Sequence, residues 1–192
     1  FLTEENDKMV RSNENYRQQL KESAEEVEKL RAELAISKEH SEQDGLTKVS
    51  SRRFFDETLA REVGSASTTE AKLSLIMADI DHFKAINDTH GHQIGDDLLR
   101  QVANILKLNT KGGDCVARYG GEEFAVILTA TDRAGAITVA ERIRTKLERT
   151  KWQERNGMPI GVITASFGIA ELRSGETTSS LIKRADANLY KA

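Results

Sequence analysis

The sequence is short of several things, and each shortage removes a class of protein. One cysteine, Cys115, stands among 192 residues, so no disulfide framework can form within the chain. That usage fits a reducing, cytoplasmic compartment. Cys115 lies in a strand-like run and reads as a small core residue. No apolar run approaches the roughly 18 residues of a membrane span, and no secretory leader is visible. Excess positive charge is lacking: 28 Lys and Arg stand against 31 Asp and Glu, a net charge of −3. A broad nucleic-acid-binding surface is therefore not expected. No G-x-x-x-x-G-K-[ST] loop occurs, which excludes P-loop hydrolysis. Ser166, in 164-TASFG-168, lacks the nucleophile-elbow pattern of a Ser-His-Asp hydrolase. His90 and His92 have no cysteine or third histidine beside them, so a zinc site is not expected. A start at Phe1 and a stop at Lys191-Ala192 read as a piece of a longer protein.

Residues 1–43 contain neither glycine nor proline. Leu2, Met9, Tyr16, Ser23 and Leu30 recur every seven residues. Asn6, Asn13, Leu20, Val27 and Leu34 form a second series, offset by four. The second series sits at a and the first at d of a heptad repeat. Asparagine at two a positions favours a parallel dimer in one register, at some cost in stability. Charges agree: Glu26 can face Arg31 of a partner helix, and Glu33 can face Lys38. The alternatives are a solvated single helix or a helix packed on another domain. The expected division is a dimerising stalk over 1–43 and a globular domain over 44–192.

In the globular part, Ser50 or Ser51 offers an N-cap for a helix. A polar loop is expected near 64-GSASTTEA-71, then a buried strand over 73-LSLIMADI-80. Helical spacing runs over 93–108, with polar and glycine residues breaking it around 87-NDTHGHQIGD-96. Cys115–Arg118 and Glu123–Leu128 read as strands joined by Tyr119-Gly120-Gly121-Glu122. A helix follows over 132–149, a turn at Asn156-Gly157, a strand over 160–171 and a last helix over 179–190. Strands alternating with helices around a hairpin predict an α/β sandwich with a central, mostly antiparallel sheet.

The apolar run 73–80 meets Asp79 and Asp81 at its end. Carboxylates ending a buried strand need a partner, because an unpaired buried charge is costly. The Gly-Gly hairpin supplies Glu122 and Glu123, and a strand end and a hairpin tip can lie side by side. Asp79 and one glutamate could then clamp Mg²⁺, with substrate phosphates filling other positions. The bland alternative is that these acids pair with Arg118 or Lys84. Gly120 and Gly121 would permit a tight turn and close approach by a bulky ligand. Asn87 and Asp96 could read a purine: a carboxylate accepts from N1–H and the N2 amine of guanine, a donor pair adenine lacks.

These residues together resemble the GGDEF family of diguanylate cyclases, in its GGEEF form. The resemblance rests on DGLT at 44–47 with Arg52-Arg53, DIDHFKAINDTHGHQIGDDLL at 79–99, RYGGEEF at 118–124, TASFGIA at 164–170 and KRADANLY at 183–190. It implies a nucleotide cyclase or polymerase palm-like fold and a bacterial enzyme that joins two GTP into cyclic di-GMP. It implies that Asp79, the Ile80 carbonyl and Glu122 hold Mg²⁺, two ions per half-site with Mn²⁺ as a substitute. Glu123 would assist, and Glu122 would also accept a proton. Asn87 and Asp96 would hold guanine. The amides of His82, Phe83 and Lys84 would bind the β- and γ-phosphates. Each domain would hold one GTP, so two must meet as a homodimer through the stalk, where an upstream sensor or regulatory protein could act. Two departures stand out. The family's inhibitory R-x-x-D reads 111-KGGD-114 here, so Lys111 and Asp114 form a degenerate product site. The Lys and Gly-Arg-Asn segment that usually follows and contacts the γ-phosphate is not in this sequence, and Lys191 is not its match.

Overall fold

The computed structural model describes residues 17, 20, 21, 23, 25–29, 42–154 and 157–192. The chain divides into two units, Phe1–His40 and Ser41–Ala192. In the first unit the described residues are helical, and Leu20 and Val27 are exposed. Ser23 is also helical and exposed; the remaining heptad positions, Leu2, Met9, Tyr16, Leu30, Asn6, Asn13 and Leu34, lie outside the described residues, as do Arg31, Glu33 and Lys38.

The second unit runs α1 (Arg52–Thr69), β1 (Leu73–Ile80), α2 (Phe83–His90), α3 (His92–Leu108), β2 (Cys115–Arg118) and β3 (Glu123–Thr129). It continues α4 (Arg133–Arg149), β4 (Trp152–Gln153), β5 (Pro159–Gly161), β6 (Ala165–Glu171) and α5 (Thr178–Leu189). The main sheet has the order β2-β3-β1-β6, and its neighbouring strands all pair antiparallel. Successive side chains of a strand point to opposite faces, and here both faces are covered. Ile76, Ala78 and Ile80 of β1, with Phe124, Val126 and Leu128 of β3, join α3 and α4 in one core. Leu73, Leu75 and Met77, with Ala125 and Ile127, join α1 and α5 in the other. That is why β1 reads as one continuous apolar run. The expected sandwich is present. No described helix is long and apolar enough to cross a membrane.

Three local expectations need correction. The polar stretch after Val63 is not a loop, because α1 continues to Thr69. Buried Val63 and Ala66 hold it to the core, and Ser67, Thr68 and Thr69 return hydrogen bonds to carbonyls one turn back. The segment 87–96 is helical on both sides of Gly91, whose φ of 85° alone makes the break. The single strand expected over 160–171 is two. Gly161, at φ 112°, ends β5, which pairs with β4 in a separate two-stranded sheet, and β6 begins at Ala165.

Candidate active site

Backbone pairing assembles the site. Asp79, near the end of β1, lies opposite Glu123 on one side and Ser166 on the other. The Ile80 amide donates to the Glu122 carbonyl at 3.4 Å. The strand end and hairpin tip therefore lie side by side, as expected. Asp79 is half-buried. Burial, and then the charges of Glu122, Glu123 and Asp81, push its carboxyl up to about 6. Such crowding of acidic oxygens lowers its own cost when a cation binds among them.

The neighbouring cations do not neutralise this cluster. Arg118 donates from Nε (3.3 Å) and Nη2 (2.7 Å) to the Gly121 carbonyl, and its Nη1 lies 3.4 Å from Asp44 Oδ1. Among the described residues no ion pair joins Arg118 or Lys84 to Asp79, Glu122 or Glu123. No preformed group of three metal ligands is present among the described residues either. The carboxylates of Asp79, Glu122 and Glu123 are nonetheless near enough for their charges to act on one another.

Asp81, which the motif left without a role, accepts hydrogen bonds from Thr164 Oγ1 (2.6 Å) and Ser166 Oγ (2.9 Å). Its amide donates to the Thr164 carbonyl at 3.1 Å. Asp81 therefore ties the end of β1 to the start of β6. Next along the chain, His82 adopts a left-handed φ of 58° and starts α2 without a side-chain cap. The first turn of a helix leaves its amides without intrahelical partners. Phe83 and Lys84 thus present amides and the positive end of the helix beside the carboxylates.

Asn87 and Asp96 come from the two helices that meet at Gly91. Asp96 is exposed, in the first turns of α3. Asn87 Oδ1 is buried and has no hydrogen-bond partner. Lys111 and Asp114 lie at the other end of β3, about 20 Å along the strand from Glu123 by strand rise. Both are committed locally. Lys111 Nζ donates to the Thr129 carbonyl (2.7 Å) and Thr131 Oγ1 (3.2 Å). Asp114 accepts from the amides of Lys111 (3.0 Å) and Thr129 (3.1 Å).

The hairpin glycines have unequal tasks. A Cβ on Gly120 would lie 2.1 Å from Glu123 Oε2, whereas nothing lies within 4 Å of one on Gly121. Gly120 thus makes room for the chain's own carboxylate, and only Gly121 opens onto free space. Sequence reasoning also missed the anchors of this hairpin. Asp44 accepts from the Thr47 amide (2.8 Å) and Oγ1 (2.6 Å) and meets Arg118. Burial works to raise the Asp44 carboxyl, but the Thr47 and Arg118 contacts outweigh it and hold it below the usual range. Arg52 stacks over the Tyr119 ring at 4.3 Å, and Phe55 meets that ring edge-on. The motif strings DGLT, Arg52-Arg53 and RYGGEEF held the signal, but nothing in their spacing says that they touch.

The profile of the family described as "Diguanylate cyclase, GGDEF domain" matches residues 41–192. The chain belongs to this GGDEF family. A relative from Vibrio cholerae serotype O1, diguanylate cyclase VdcA, is 38% identical over 187 residues, covering 96% of this chain and 54% of its own. The chain therefore spans about half the length of that GGDEF relative. Among solved structures, the coiled coil and GGDEF domain of DgcB from Caulobacter crescentus, in complex with c-di-GMP, has a TM-score of 0.85 and 38% identity. That match covers 90% of this chain and 91% of that one. Diguanylate cyclase SiaD from Pseudomonas aeruginosa, in complex with its activator SiaC, has a TM-score of 0.76 and 31% identity. It covers 100% of this chain and 75% of the other.

Proposed function

We propose that this chain condenses two GTP into cyclic di-GMP and two pyrophosphates, as a homodimer of GGDEF domains. The observation that carries the reading is the convergence of Asp79, Glu122 and Glu123, with the Asp79 carboxyl raised to about 6 and no cation among the described residues paired with it. Two acidic residues at a hairpin tip beside a third at a strand end make sense as a cation site (a salt-bridge site would have drawn in Arg118).

In this reading Asp79, the Ile80 carbonyl, Glu122 and Glu123 hold two Mg²⁺ per half-site, with Mn²⁺ as a substitute. Bound there, Mg²⁺ supplies charge neutralisation at the phosphates and acidifies the attacking hydroxyl. The amides of His82, Phe83 and Lys84 take the β- and γ-phosphates at the start of α2. Asn87 and Asp96 hold guanine. The 3′-oxygen of one GTP attacks the α-phosphorus of the other, the bond to pyrophosphate breaks, and the hydroxyl proton passes to Glu122. The second bond forms in the same way with the roles exchanged, which requires two domains in two-fold apposition. Residues 1–43 act as the stalk that tethers the pair and raises their effective concentration into the mM range. Residues 44–192 form the catalytic domain. An upstream sensor or a regulatory protein acts through the stalk. Lys111 and Asp114 do not form a working product-inhibition site, since their polar groups are already committed to each other and to Thr129.

The test is incubation of the purified chain with GTP and Mg²⁺, with products resolved by mass spectrometry and Glu122→Ala in parallel. Cyclic di-GMP from the parent alone is the expected result. Equal yield from both would remove Glu122 from the chemistry. No product from either, also after a C-terminal Lys and Gly-Arg-Asn segment is appended, would leave a nucleotide-binding module instead of an enzyme.

A further inference from the structure

We propose that Gly95 is a positioning and specificity-determining residue: its missing side chain seats the Asn87 amide that meets the guanine base. The inference rests on the guanine-reading assignment above and names the residue that makes it work.

Gly95 lies one turn into α3 and is buried, facing α2 across the Gly91 junction. A Cβ there would lie 1.9 Å from Asn87 Oδ1, 2.9 Å from Asn87 Cγ and 3.2 Å from Phe83 Cζ. The Asn87 amide therefore occupies the space that any other residue would fill. The backbone gives no reason for glycine, because Gly95 is not among the residues with positive φ. Helix propensity argues against it, since an interior glycine is less favourable than alanine. What the glycine gains is the seat of the Asn87 amide against the bare α3 backbone.

Asn87 Oδ1 is buried without a partner, and a buried acceptor left unbonded carries a desolvation penalty. A guanine amine reaching this oxygen would remove the penalty, while Asp96, the next residue after Gly95, accepts from the same edge of the base. One helix turn thus carries both the space for the first reader and the second reader itself. Phe83 borders the same space, since its Cζ would lie 3.2 Å from a Cβ on Gly95.

The experiment is a titration of the dimeric full chain with a non-hydrolysable GTP analogue and Mg²⁺. It compares the parent, Gly95→Ala, Asn87→Ala and the double variant, with thermal unfolding of each. Gly95→Ala is expected to weaken binding by roughly 10- to 100-fold. Its unfolding midpoint should stay at or above the parent's. The double variant should bind no more weakly than Asn87→Ala alone, because the added methyl then has room. Steady-state rates should show the loss in KM, with kcat largely kept. Parental affinity in Gly95→Ala, or losses that multiply in the double variant, would overturn the inference. So would a fall in the midpoint that Asn87→Ala does not relieve, since Gly95 would then serve helix packing alone. If Asn87→Ala itself binds like the parent, the guanine assignment fails first and takes this inference with it.

Discussion

Gly120 and Gly121 stand together, yet a methyl group at each should fail for a different reason. Neither has a left-handed φ, so alanine suits both backbones. On Gly120 the new Cβ would lie 2.1 Å from Glu123 Oε2 and 3.1 Å from its Cδ. Ordinary contact begins near 3.4 Å, so the carboxylate oxygen must retreat by about 1.3 Å. The obstacle is the far end of a flexible side chain, so the fold loses little, and Gly→Ala at a compatible φ stabilises by ~0.4–1 kcal/mol. At a reacting centre a 1 Å displacement costs about 100-fold in rate. Gly120→Ala should therefore keep or raise the unfolding midpoint while kcat falls about 100-fold. Gly121→Ala meets nothing within 4 Å in the folded chain, so its loss should arise only when nucleotide approaches and should show in KM. The assay is thermal unfolding alongside turnover to cyclic di-GMP at saturating GTP and Mg²⁺, at one fixed protein concentration. Parental turnover in Gly120→Ala would refute the reasoning, because the position of the Glu123 carboxylate would then not matter. A drop in activity matched by a drop in midpoint would refute it too, by making Gly120 a folding residue.

Gly168→Ala should behave in the opposite way, since its Cβ would lie 2.1 Å from the Ala185 carbonyl oxygen and 2.4 Å from the Leu189 amide nitrogen. Backbone cannot step aside as a side chain can, so α5 must shift at a cost of about 2–3 kcal/mol, read as a fall of several degrees in the midpoint. Glu176 gives a pH dependence: the hydrogen bond from Arg184 holds its carboxyl down at about 2, against 4.5 without that environment. The folded value is depressed, so the contribution is present above about pH 5 and fades as pH falls from 4.5 towards 2, by at most ~3 kcal/mol. Glu176→Gln should flatten the acid limb of the stability profile, and an unchanged limb would show that the pair contributes nothing. Added cyclic di-GMP should leave turnover unaffected at submicromolar concentration. Half-inhibition in that range, abolished by Asp114→Ala, would restore a working site at 111–114.

The sheet was legible because its strands are buried on both faces: nothing but a central strand explains eight residues such as Leu73–Ile80. The last turns of α1 were not. Ser65, Ser67, Thr68 and Thr69 favour loops by propensity, and only the burial of Val63 and Ala66 against the other elements overrides it. The break at Gly91 was seen but drawn too wide, because Asn87, Asp88 and Asp96 read as loop formers where they serve as helix residues on either side of one bend. Of the site, Asp79, Glu122 and Glu123 announced themselves as acids where apolar residues were due. Asp81 did not, since its partners Thr164 and Ser166 lie 83 and 85 residues further on. The task of Gly120 was misassigned, because the sequence cannot say whether a glycine clears space for a ligand or for its own neighbour.

The concentration of negative charge at the site is an arrangement of the nearby cations as much as of the acids. Arg118 is close enough in sequence to pair with Glu122 or Glu123, and it is turned away by two stronger claims. Its guanidinium spans the Gly121 carbonyl and Asp44, and Asp44 is held in place by Thr47. Arg52 is likewise drawn onto the Tyr119 ring, which Phe55 supports from the edge. Both contacts grip residues directly flanking the hairpin tip, so the same groups that fix its position also keep positive charge off its carboxylates. A lysine at position 118 could not do this, because a single ammonium cannot span a carbonyl and a carboxylate with a planar fork. Anchoring the hairpin and leaving Asp79, Glu122 and Glu123 unneutralised are therefore one physical act, and the residual charge is what a divalent cation with its phosphates would meet.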